Sequence, residues 1–347
     1  MFQPNFQITN KLLDSISKAS AIREVIINAP ILPAKEASLK YAVVLANAHA
    51  STSIEGNTLT IDDVNKLAEG GEVLKTRKEK QEVLNYLSAL DDLENWSPNG
   101  ILDTKHLLRC HQQITKDVLD NKNWEGQLRH HKVIVGNQKT GEIAFIPPQW
   151  EEVPQMIEQF LFWLNAKKDI HPIIESGITH YQLAKIHPFY DGNGRVARFA
   201  AYWTLVKRKF DERRVLNPDE YYNKDRKNYY EALKTVDPQT QDMTRWLEYF
   251  AQGIAVSAHE VKQKVWELSD GARGKYQTAR RQTELTPRQS KIVAYINQHD
   301  SIANIQTQKL LGISRQMATK ELANLVDIKL IKKLGSFKDA RYKLLHF

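Results

Sequence analysis

Apolar residues recur every three or four positions along most of the first 270 residues, the spacing of amphipathic helices. One helix is predicted over 39–54, where Gly56 provides the stop. The others are predicted over 62–67, 77–93, 151–164, 176–186, 196–209, 221–236 and 243–268. The chain is therefore expected to be mainly α.

A short β-hairpin interrupts this helical pattern. Residues 131–136 and 143–146 are two short runs, rich in β-branched and aromatic residues, on either side of a Gly/Asn/Lys turn, and Pro147 and Pro148 follow the second run. We predict a hairpin that projects as a flap from the helical core. An ordinary surface hairpin remains the alternative.

The C-terminal part has a different pattern, which follows a polar, basic bridge over 270–283. Helices are predicted over 287–299, 307–311 and 314–326, with Gly312 in a turn and Ser314 as an N-cap, and two strands over 328–334 and 340–345. Three helices and a hairpin are typical of a winged-helix (helix–turn–helix) domain. With a break at residues 97–100, the predicted units are a helical N-terminal region over 1–99, a catalytic domain over 100–270 and a winged helix over 280–347.

Composition narrows the class of protein. Of 347 residues, 41% are hydrophobic and 26% are charged, which is typical of a soluble globular protein. The longest apolar run, about seven residues, is far shorter than the ~18–20 that a membrane span needs. No leader pattern opens the chain, and the single cysteine, Cys110, excludes an intrachain disulfide framework and a Cys-rich zinc site. We expect a cytoplasmic enzyme or regulator without membrane contact.

The net charge of +8 is concentrated at the C-terminal end. Residues 273–347 contain 15 Lys/Arg and 5 Asp/Glu, a balance of +10, so residues 1–272 carry 8 − 10 = −2. A basic terminal block indicates nucleic acid or an acidic partner, although a solvated surface explains it equally well.

Residues 187–198 read His-Pro-Phe-Tyr-Asp-Gly-Asn-Gly-Arg-Val-Ala-Arg. Pro188 ends one helix, and the glycines allow a tight turn whose N–H groups converge into an anion-binding nest. A new helix is predicted to start at Arg195 or Val196, with Arg195 and Arg198 on roughly one face. This combination predicts a polyphosphate site.

Two further residues of this stretch suggest its chemistry. Asp191 would repel phosphates unless a cation accompanied them, and Mg²⁺ bound by one carboxylate, phosphate oxygens and water resolves that conflict. His187 is the nearby group that can accept a proton near neutral pH, for example from a hydroxyl that attacks phosphorus.

The same twelve residues resemble, position for position, the signature of the Fic family, His-Pro-Phe-x-Asp-Gly-Asn-Gly-Arg-x-x-Arg. The Asp-Gly-Asn-Gly-Arg form is similar to the AMP-transferring members rather than to Doc-like kinases. The resemblance implies a Fic-type helical core and transfer of AMP from ATP to a Ser, Thr or Tyr hydroxyl of a target protein. It implies His187 as general base, Asp191 as Mg²⁺ ligand, Gly192, Asn193 and Gly194 at the α- and β-phosphates, and Arg195 and Arg198 at the β- and γ-phosphates.

The resemblance extends to two other segments. The hairpin is similar to the family's flap, which binds the target by strand addition. Tyr229 and Tyr230 resemble the lining of the family's nucleotide pocket, although plain helix packing explains a tyrosine pair equally well.

Residues 51–57, Ser-Thr-Ser-Ile-Glu-Gly-Asn, resemble the family's inhibitory pattern. Glu55 is expected at a helix C-terminus, where the macrodipole disfavours an anion. The resemblance implies that Glu55 pairs with Arg198 in the place of the γ-phosphate and that Ser51 helps to hold the helix. It also implies that Glu55 can position water to remove AMP from a target. The alternative is an exposed helix end with a chance match.

A DNA-binding regulator whose Fic-like site senses nucleotide is the second functional hypothesis. Arg315, Gln316, Thr319 and Lys320 would then face DNA, whereas the winged helix could instead serve dimerisation or target docking. An intact His187 favours the enzyme, because a pure sensor needs no base. Inhibition that is released through a homodimer interface is compatible with the sequence.

Overall fold

The computed structural model describes residues 2–97, 99–137, 142–166, 169–270, 285–328, 330–335 and 340–345. Its helices are α1 (Asn10–Asn28), α2 (Pro33–Ile54), α3 (Ile61–Ala68), α4 (Arg77–Asp91), α5 (Thr104–Thr115), α6 (Val153–Asn165), α7 (Pro172–Ile186), α8 (Asn193–Lys207), α9 (Pro218–Lys224), α10 (Arg226–Lys234), α11 (Thr244–Asp270), α12 (Pro287–His299), α13 (Asn304–Leu311) and α14 (Arg315–Asp327). Its strands are β1 (Val135–Asn137), β2 (Glu142–Phe145), β3 (Ile302–Ala303), β4 (Ile331–Leu334) and β5 (Arg341–Leu344). The fold is mainly α, as the hydrophobic spacing predicts.

Helices α7 and α8 pack against each other at the centre of the core, and the loop between them carries residues 187–192. Helix α11 packs along α1 and α7, and α2 packs between α4 and α9. Thr9, the N-cap of α1, donates a hydrogen bond to Glu248 of α11, 239 positions later. Within the described ranges, no helix is both long and apolar enough to cross a membrane.

Helix α2 is buried along most of its length, because alanine and other small residues let neighbouring helices approach closely. It ends at Ile54, and Gly56 follows with φ +96°, a backbone conformation that disfavours residues with a side chain. Glu55 therefore lies at a fixed helix end, which points toward α8.

The hairpin is shorter than the sequence suggests. Strands β1 and β2 pair antiparallel, with Gly136 opposite Ile143, whereas residues 131–134 lie outside the ladder. The predicted turn falls on residues 138–141, outside the described residues. Ile134, Ile143 and Ile146 are each more than half exposed, so the hairpin presents apolar side chains to solvent.

In the C-terminal part, α12, α13 and α14 pack with a three-stranded sheet in the order β3-β5-β4. Gly312 ends α13 in the left-handed conformation, and Ser314 caps α14 through the Met317 N–H. The short strand β3 is absent from the sequence prediction, and α13 begins three residues early, at Asn304. Most of the predicted bridge over 270–283 lies outside the described residues.

Helix α12 joins this C-terminal part to the N-terminal half of α2. Asn297 donates hydrogen bonds to the Ala34 carbonyl and to the Ser38 hydroxyl of α2. Lys291 also pairs with Asp91, the last residue of the neighbouring α4. Ala37 of α2 is 2% exposed and belongs to the same apolar cluster as the C-terminal core. We call this contact between α2 and α12 the α2–α12 seam.

Two helical predictions need correction, and two helices were not predicted. The helix predicted over 221–236 is two helices, because the backbone of Asp225 leaves the helical region and its side chain caps α10. The helix predicted from Arg195 or Val196 begins at Asn193. Helices α1 and α5 are absent from the sequence prediction.

Candidate functional site

The loop between α7 and α8 is shaped by two residues in the left-handed conformation. His187 caps α7 with φ 50° and ψ 59°, and Gly192 caps α8 with φ 78°. Because α8 begins at Asn193, the N–H groups of Asn193 and Gly194 belong to its first turn, where helices leave such donors unpaired. The loop therefore offers an anion site at the α8 N-terminus.

Asn193 braces this loop with its side chain. Its Oδ1 accepts from the Phe189 N–H and its Nδ2 donates to the Phe189 carbonyl, both at 2.9 Å. The residue is 2% exposed. Its side-chain amide is thus used within the loop, and its backbone N–H is the group available to a ligand.

His187 has one ring nitrogen engaged. Its Nδ1 lies 3.2 Å from the Ala184 carbonyl, which can only accept, so Nδ1 carries the proton and Nε2 keeps its lone pair. Burial lowers the pKa of the imidazole; the Arg129 charge also lowers it, whereas the Ala184 bond, Glu55 and Asp191 raise it. His187 is consequently neutral near pH 7 and can accept a proton at Nε2.

Arg198 is buried beneath the end of α2. Its Nη2 donates to Glu55 Oε1 at 2.7 Å and to the Ser51 carbonyl at 2.9 Å, and its Nε donates to the Ser51 hydroxyl at 2.8 Å. The structure thus brings Ser51, Glu55 and Arg198 together. Glu55 is also so close to α8 that a Cβ placed on Gly194 would collide with its Oε1. The Glu55 carboxylate therefore lies against the first turn of α8.

Arg195 is 2% exposed and has weaker partners than Arg198. Its Nη1 lies 3.6 Å from Glu82, and its Nη2 lies 3.6 Å from Asp191. Within the described part of the chain, its Nε and Nη1 have no hydrogen-bond partner. A buried guanidinium with free N–H groups beside an anion site is well suited to a phosphate.

Asp191 has an accessible carboxylate, with 57% of its side chain exposed. The Gly192 N–H donates to one of its oxygens. Among the residues that the structure describes, no group of three or more His, Cys, Asp or Glu could hold a metal. Any cation here would take most of its ligands from elsewhere.

The two tyrosines differ in position. Tyr229 is buried, and its hydroxyl lies 2.9 Å from His180 Nε2, so it belongs to the core beneath Arg198. Tyr230 is 42% exposed, and its hydroxyl donates to the Ile54 carbonyl at 3.4 Å. Tyr230 borders the site, whereas Tyr229 supports it from below.

Three residues that contact Arg195, Arg198 or Asp191 were not predicted from the sequence: Glu82, Asp219 and His111. Asp219 of α9 lies 3.5 Å from Arg198 Nε. Burial raises the pKa of its carboxyl to about 6, although the Arg198 charge lowers it. His111 of α5 donates from Nε2 to the Asp191 carbonyl at 3.0 Å. In sequence, Asp219 after Pro218 indicates only a helix N-terminus, and His111 and Glu82 stand in helical patterns far from residues 187–198.

His111 is positioned on three sides. Its Nδ1 accepts from the Gly126 N–H at 2.9 Å, which leaves the proton on Nε2 for Asp191. Its ring stacks on Phe189 with centroids 3.8 Å apart. Burial lowers the pKa of the imidazole to about 4, so His111 remains a neutral donor under the loop.

Residues 101–205 match the Fic/DOC family. The chain is 26% identical to the protein adenylyltransferase Fic of Culex quinquefasciatus over 68% of this chain and 43% of that protein. It is 29% identical to the protein of the same name from Drosophila mojavensis over 53% of this chain and 35% of that protein. The chain thus spans less than half the length of these curated relatives.

Solved structures resemble the fold. A Fic family protein from Desulfovibrio desulfuricans G20 has a TM-score of 0.66 at 23% identity and covers 99% of this chain and 98% of its own. Fic-1 of C. elegans (residues 134–508) has a TM-score of 0.58 at 22% identity, over 74% of this chain and 71% of its own. The loop between α7 and α8 lies inside residues 101–205, the part of the chain that matches the Fic/DOC family.

Proposed function

We propose that this protein transfers AMP from ATP to a hydroxyl side chain of a target protein. The observation that carries the proposal is the anion site at the α8 N-terminus, which is flanked by the buried Arg195 and Arg198 and by a neutral His187. The relatives named protein adenylyltransferase support the same activity.

The proposed step has a simple balance. The target hydroxyl oxygen bonds to the α-phosphorus of ATP, its proton passes to His187 Nε2, and the bond from the α-phosphorus to the bridging oxygen breaks. Pyrophosphate leaves with the electron pair of that bond. Backbone N–H groups of Asn193 and Gly194, with Arg195 and Arg198, stabilise the phosphate charge from fixed positions, so little reorganisation accompanies the reaction.

Mg²⁺ fits this donor set with Asp191 as the one carboxylate. A hard, exposed carboxylate without a surrounding protein cage is typical of Mg²⁺ sites that are completed by substrate phosphates and water. The bound cation would offset charge on the phosphates. Asp191 itself is held by His111 through its backbone and by the Gly192 N–H through its side chain.

The chain is also proposed to inhibit itself through Glu55. Its carboxylate competes with a phosphate for Arg198 and for the space above Gly194. The side chain is 32% exposed, so it can leave the site without crossing the core. ATP bound beside it would have its α-phosphate misplaced for in-line attack.

Incubation with Mg²⁺ and ATP labelled at the α- or γ-phosphate tests this function. We expect protein labelling from α-labelled ATP only, and at least about tenfold more of it in Glu55→Gly. The reason is that each ~1.4 kcal/mol by which the Glu55–Arg198 ion pair favours the inhibited state lowers the fraction of open sites tenfold. Asp92→Gly is the matched control, because Asp92 holds the same C-cap position in α4. His187→Ala in the Glu55→Gly protein should abolish labelling. Labelling from γ-labelled ATP would identify a kinase instead.

The reverse direction is a second hypothesis for Glu55. A carboxylate that faces the α8 N-terminus is also placed to orient water toward a bound AMP–protein bond. Wild-type protein should then release AMP from a purified, AMP-modified target, and Glu55→Gly should not. A modified target that persists with both proteins rules this direction out.

We also propose that the winged helix predicted over 280–347 binds DNA. Lys332 of β4 lies directly opposite Lys343 of β5, a like-charge pair that is unfavourable without an anion, although Lys343 also pairs with Asp300. Arg315, Gln316, Thr319 and Lys320 of α14 are exposed, and the Thr319 hydroxyl also accepts from Asn304. This surface matches a polyanion in charge.

Fluorescence anisotropy with double-stranded DNA at several salt concentrations tests this role on the full chain. Arg315→Ala with Lys320→Ala should weaken binding and reduce the salt slope by about two, one for each phosphate contact. Lys105→Ala with Lys264→Ala removes the same charge from exposed positions elsewhere. Equal binding by both double variants contradicts the proposal.

A further inference from the structure

Arg129 lies outside residues 187–198, yet its guanidinium joins the loop between α7 and α8 to the hairpin. Its Nε donates to the His187 carbonyl at 2.7 Å, and its Nη2 donates to the Pro148 carbonyl at 2.6 Å. A weaker bond, at 3.4 Å, runs from Nη1 to the His131 carbonyl. One buried side chain therefore holds both ends of the hairpin segment and the backbone of the proposed base.

The backbone around Arg129 strengthens this connection. The Arg129 N–H donates to the Pro188 carbonyl at 2.9 Å, and the next N–H, of His130, donates to the Tyr190 hydroxyl at 2.9 Å. Two successive residues of the segment before β1 thus donate hydrogen bonds to the loop between α7 and α8. We therefore expect a displacement of the hairpin to reach the loop through these bonds.

His187 needs such support because of its backbone. A residue with a side chain is disfavoured at φ 50° and ψ 59°, and in this conformation the His187 carbonyl accepts a hydrogen bond from Arg129 Nε. The carbonyls at the end of α7 also carry the negative end of the helix dipole, which a cation stabilises. Arg129 supplies both the hydrogen bond and the charge.

We propose that Arg129 is a positioning residue for the transfer reaction: it fixes the backbone of His187 relative to the hairpin segment. The inference rests on the proposed function. A bound hydroxyl must meet His187 Nε2 within hydrogen-bond reach, and a displacement of about 1 Å can cost ~100-fold in rate. Arg129 makes none of the contacts of the anion site, so ATP binding should depend on it little.

The charge of Arg129 gives a second, separable effect. The charged groups that face the His187 imidazole are Arg129 before the hairpin, Glu55 at the end of α2 and Asp191 in the loop. Burial is the main cause of the lowered pKa of His187, and Arg129 lowers it further. Loss of the Arg129 charge should therefore raise the pKa and move the acid limb of the pH–rate profile to higher pH.

Variants of the Glu55→Gly protein separate geometry from charge. Arg129→Lys keeps the charge but loses the forked donors, so kcat for target labelling should fall about tenfold or more while the acid limb stays in place. Arg129→Met should lower kcat at least as far and also move the acid limb upward. KM for ATP should change less than about threefold in both variants.

Arg213 provides the matched control, because its guanidinium also donates to two backbone carbonyls, those of Ile27 and Ala29 near the end of α1. Arg213→Met should leave kcat and the acid limb as in the parent.

The His187 pKa measured by NMR titration gives a readout that does not need activity. Arg129→Met overturns the inference if it leaves both kcat and this pKa unchanged, if Arg213→Met acts equally, or if ATP binding falls in parallel with kcat. A parent that labels no target refutes the proposed function instead, and the NMR titration still tests the charge effect of Arg129.

Discussion

At the residue scale, the site depends on buried polar side chains that hold backbone atoms in place. His111 holds the Asp191 carbonyl, Asn193 holds both polar groups of Phe189, and Arg129 holds the His187 carbonyl. Each bond fixes one part of a loop that contains two left-handed residues. The His111 and Asn193 bonds lie next to the α8 N-terminus and hold its N–H groups in one arrangement before any ligand binds, whereas the Arg129 bond holds the His187 end of the loop.

His111 allows a direct test of this support. In the Glu55→Gly protein, His111→Phe keeps the ring stack on Phe189 but removes the donor to Asp191, so labelling should fall about 10- to 100-fold, the usual cost of losing a hydrogen bond that orients a ligand-binding residue. His111→Gln, which can still donate, should fall less. His106→Phe on the same helix is the control, since His106 bonds to Asp103 instead. Equal activity of parent and His111→Phe would contradict the role.

The sequence locates part of this site because local motifs encode local geometry. Residues 187–198 determine a helix end, a tight turn and a helix start, and the resemblance supplied the pairing of Glu55 with Arg198 across 143 positions. Glu82, His111 and Asp219 were missed because their roles arise when separate helices pack. Nothing in their own neighbourhoods distinguishes them from ordinary helix residues.

At the element scale, α2 is shared by two parts of the molecule. Its C-terminal end places Glu55 on Arg198, and its N-terminal half packs in the α2–α12 seam. The two ends belong to one continuous helix, and helices transmit displacement along their axis with little bending. The C-terminal part thus constrains the helix that carries Glu55.

Substitution of Ala37 tests this constraint. Ala37→Arg overfills the seam, which should cost about 1–3 kcal/mol locally and loosen α2. Labelling should rise severalfold in the otherwise wild-type chain but not in the Glu55→Gly protein, where Glu55 no longer competes. Ala323→Arg, at an exposed position of α14, is the control. A rise in both backgrounds would show that the seam acts independently of Glu55.

Element boundaries were predictable where a cap or stop stands in the sequence. Gly56 ends α2 and Ser314 begins α14, as their residue types indicate. The division of 221–236 was missed, because Asp225 reads as a surface helix residue until its side chain is seen to cap α10. Helix α1 was missed because its apolar face is completed only by α11.

At the scale of the whole molecule, the proposed competition between Glu55 and nucleotide for one site should be visible in the stability of the protein. MgATP at 100 times its Kd stabilises a protein by about 2.7 kcal/mol. We expect a larger rise in Tm with MgATP for Glu55→Gly than for wild type, because wild-type protein must first displace the ion pair with Arg198. Asp92→Gly should behave as wild type in differential scanning fluorimetry. Identical shifts in all three proteins would argue against competition.

The pairing of α1 with α11 has a consequence for folding while the protein is being synthesised on the ribosome. At roughly 5–20 residues per second, the 239 positions between Thr9 and Glu248 take roughly 10 to 50 seconds to translate, and α1 waits that long for its partner. Residue 55 is also made 143 positions before Arg198. The proposed nucleotide site is therefore completed with Glu55 already present, and we expect each new molecule to leave the ribosome with the Glu55–Arg198 pair formed.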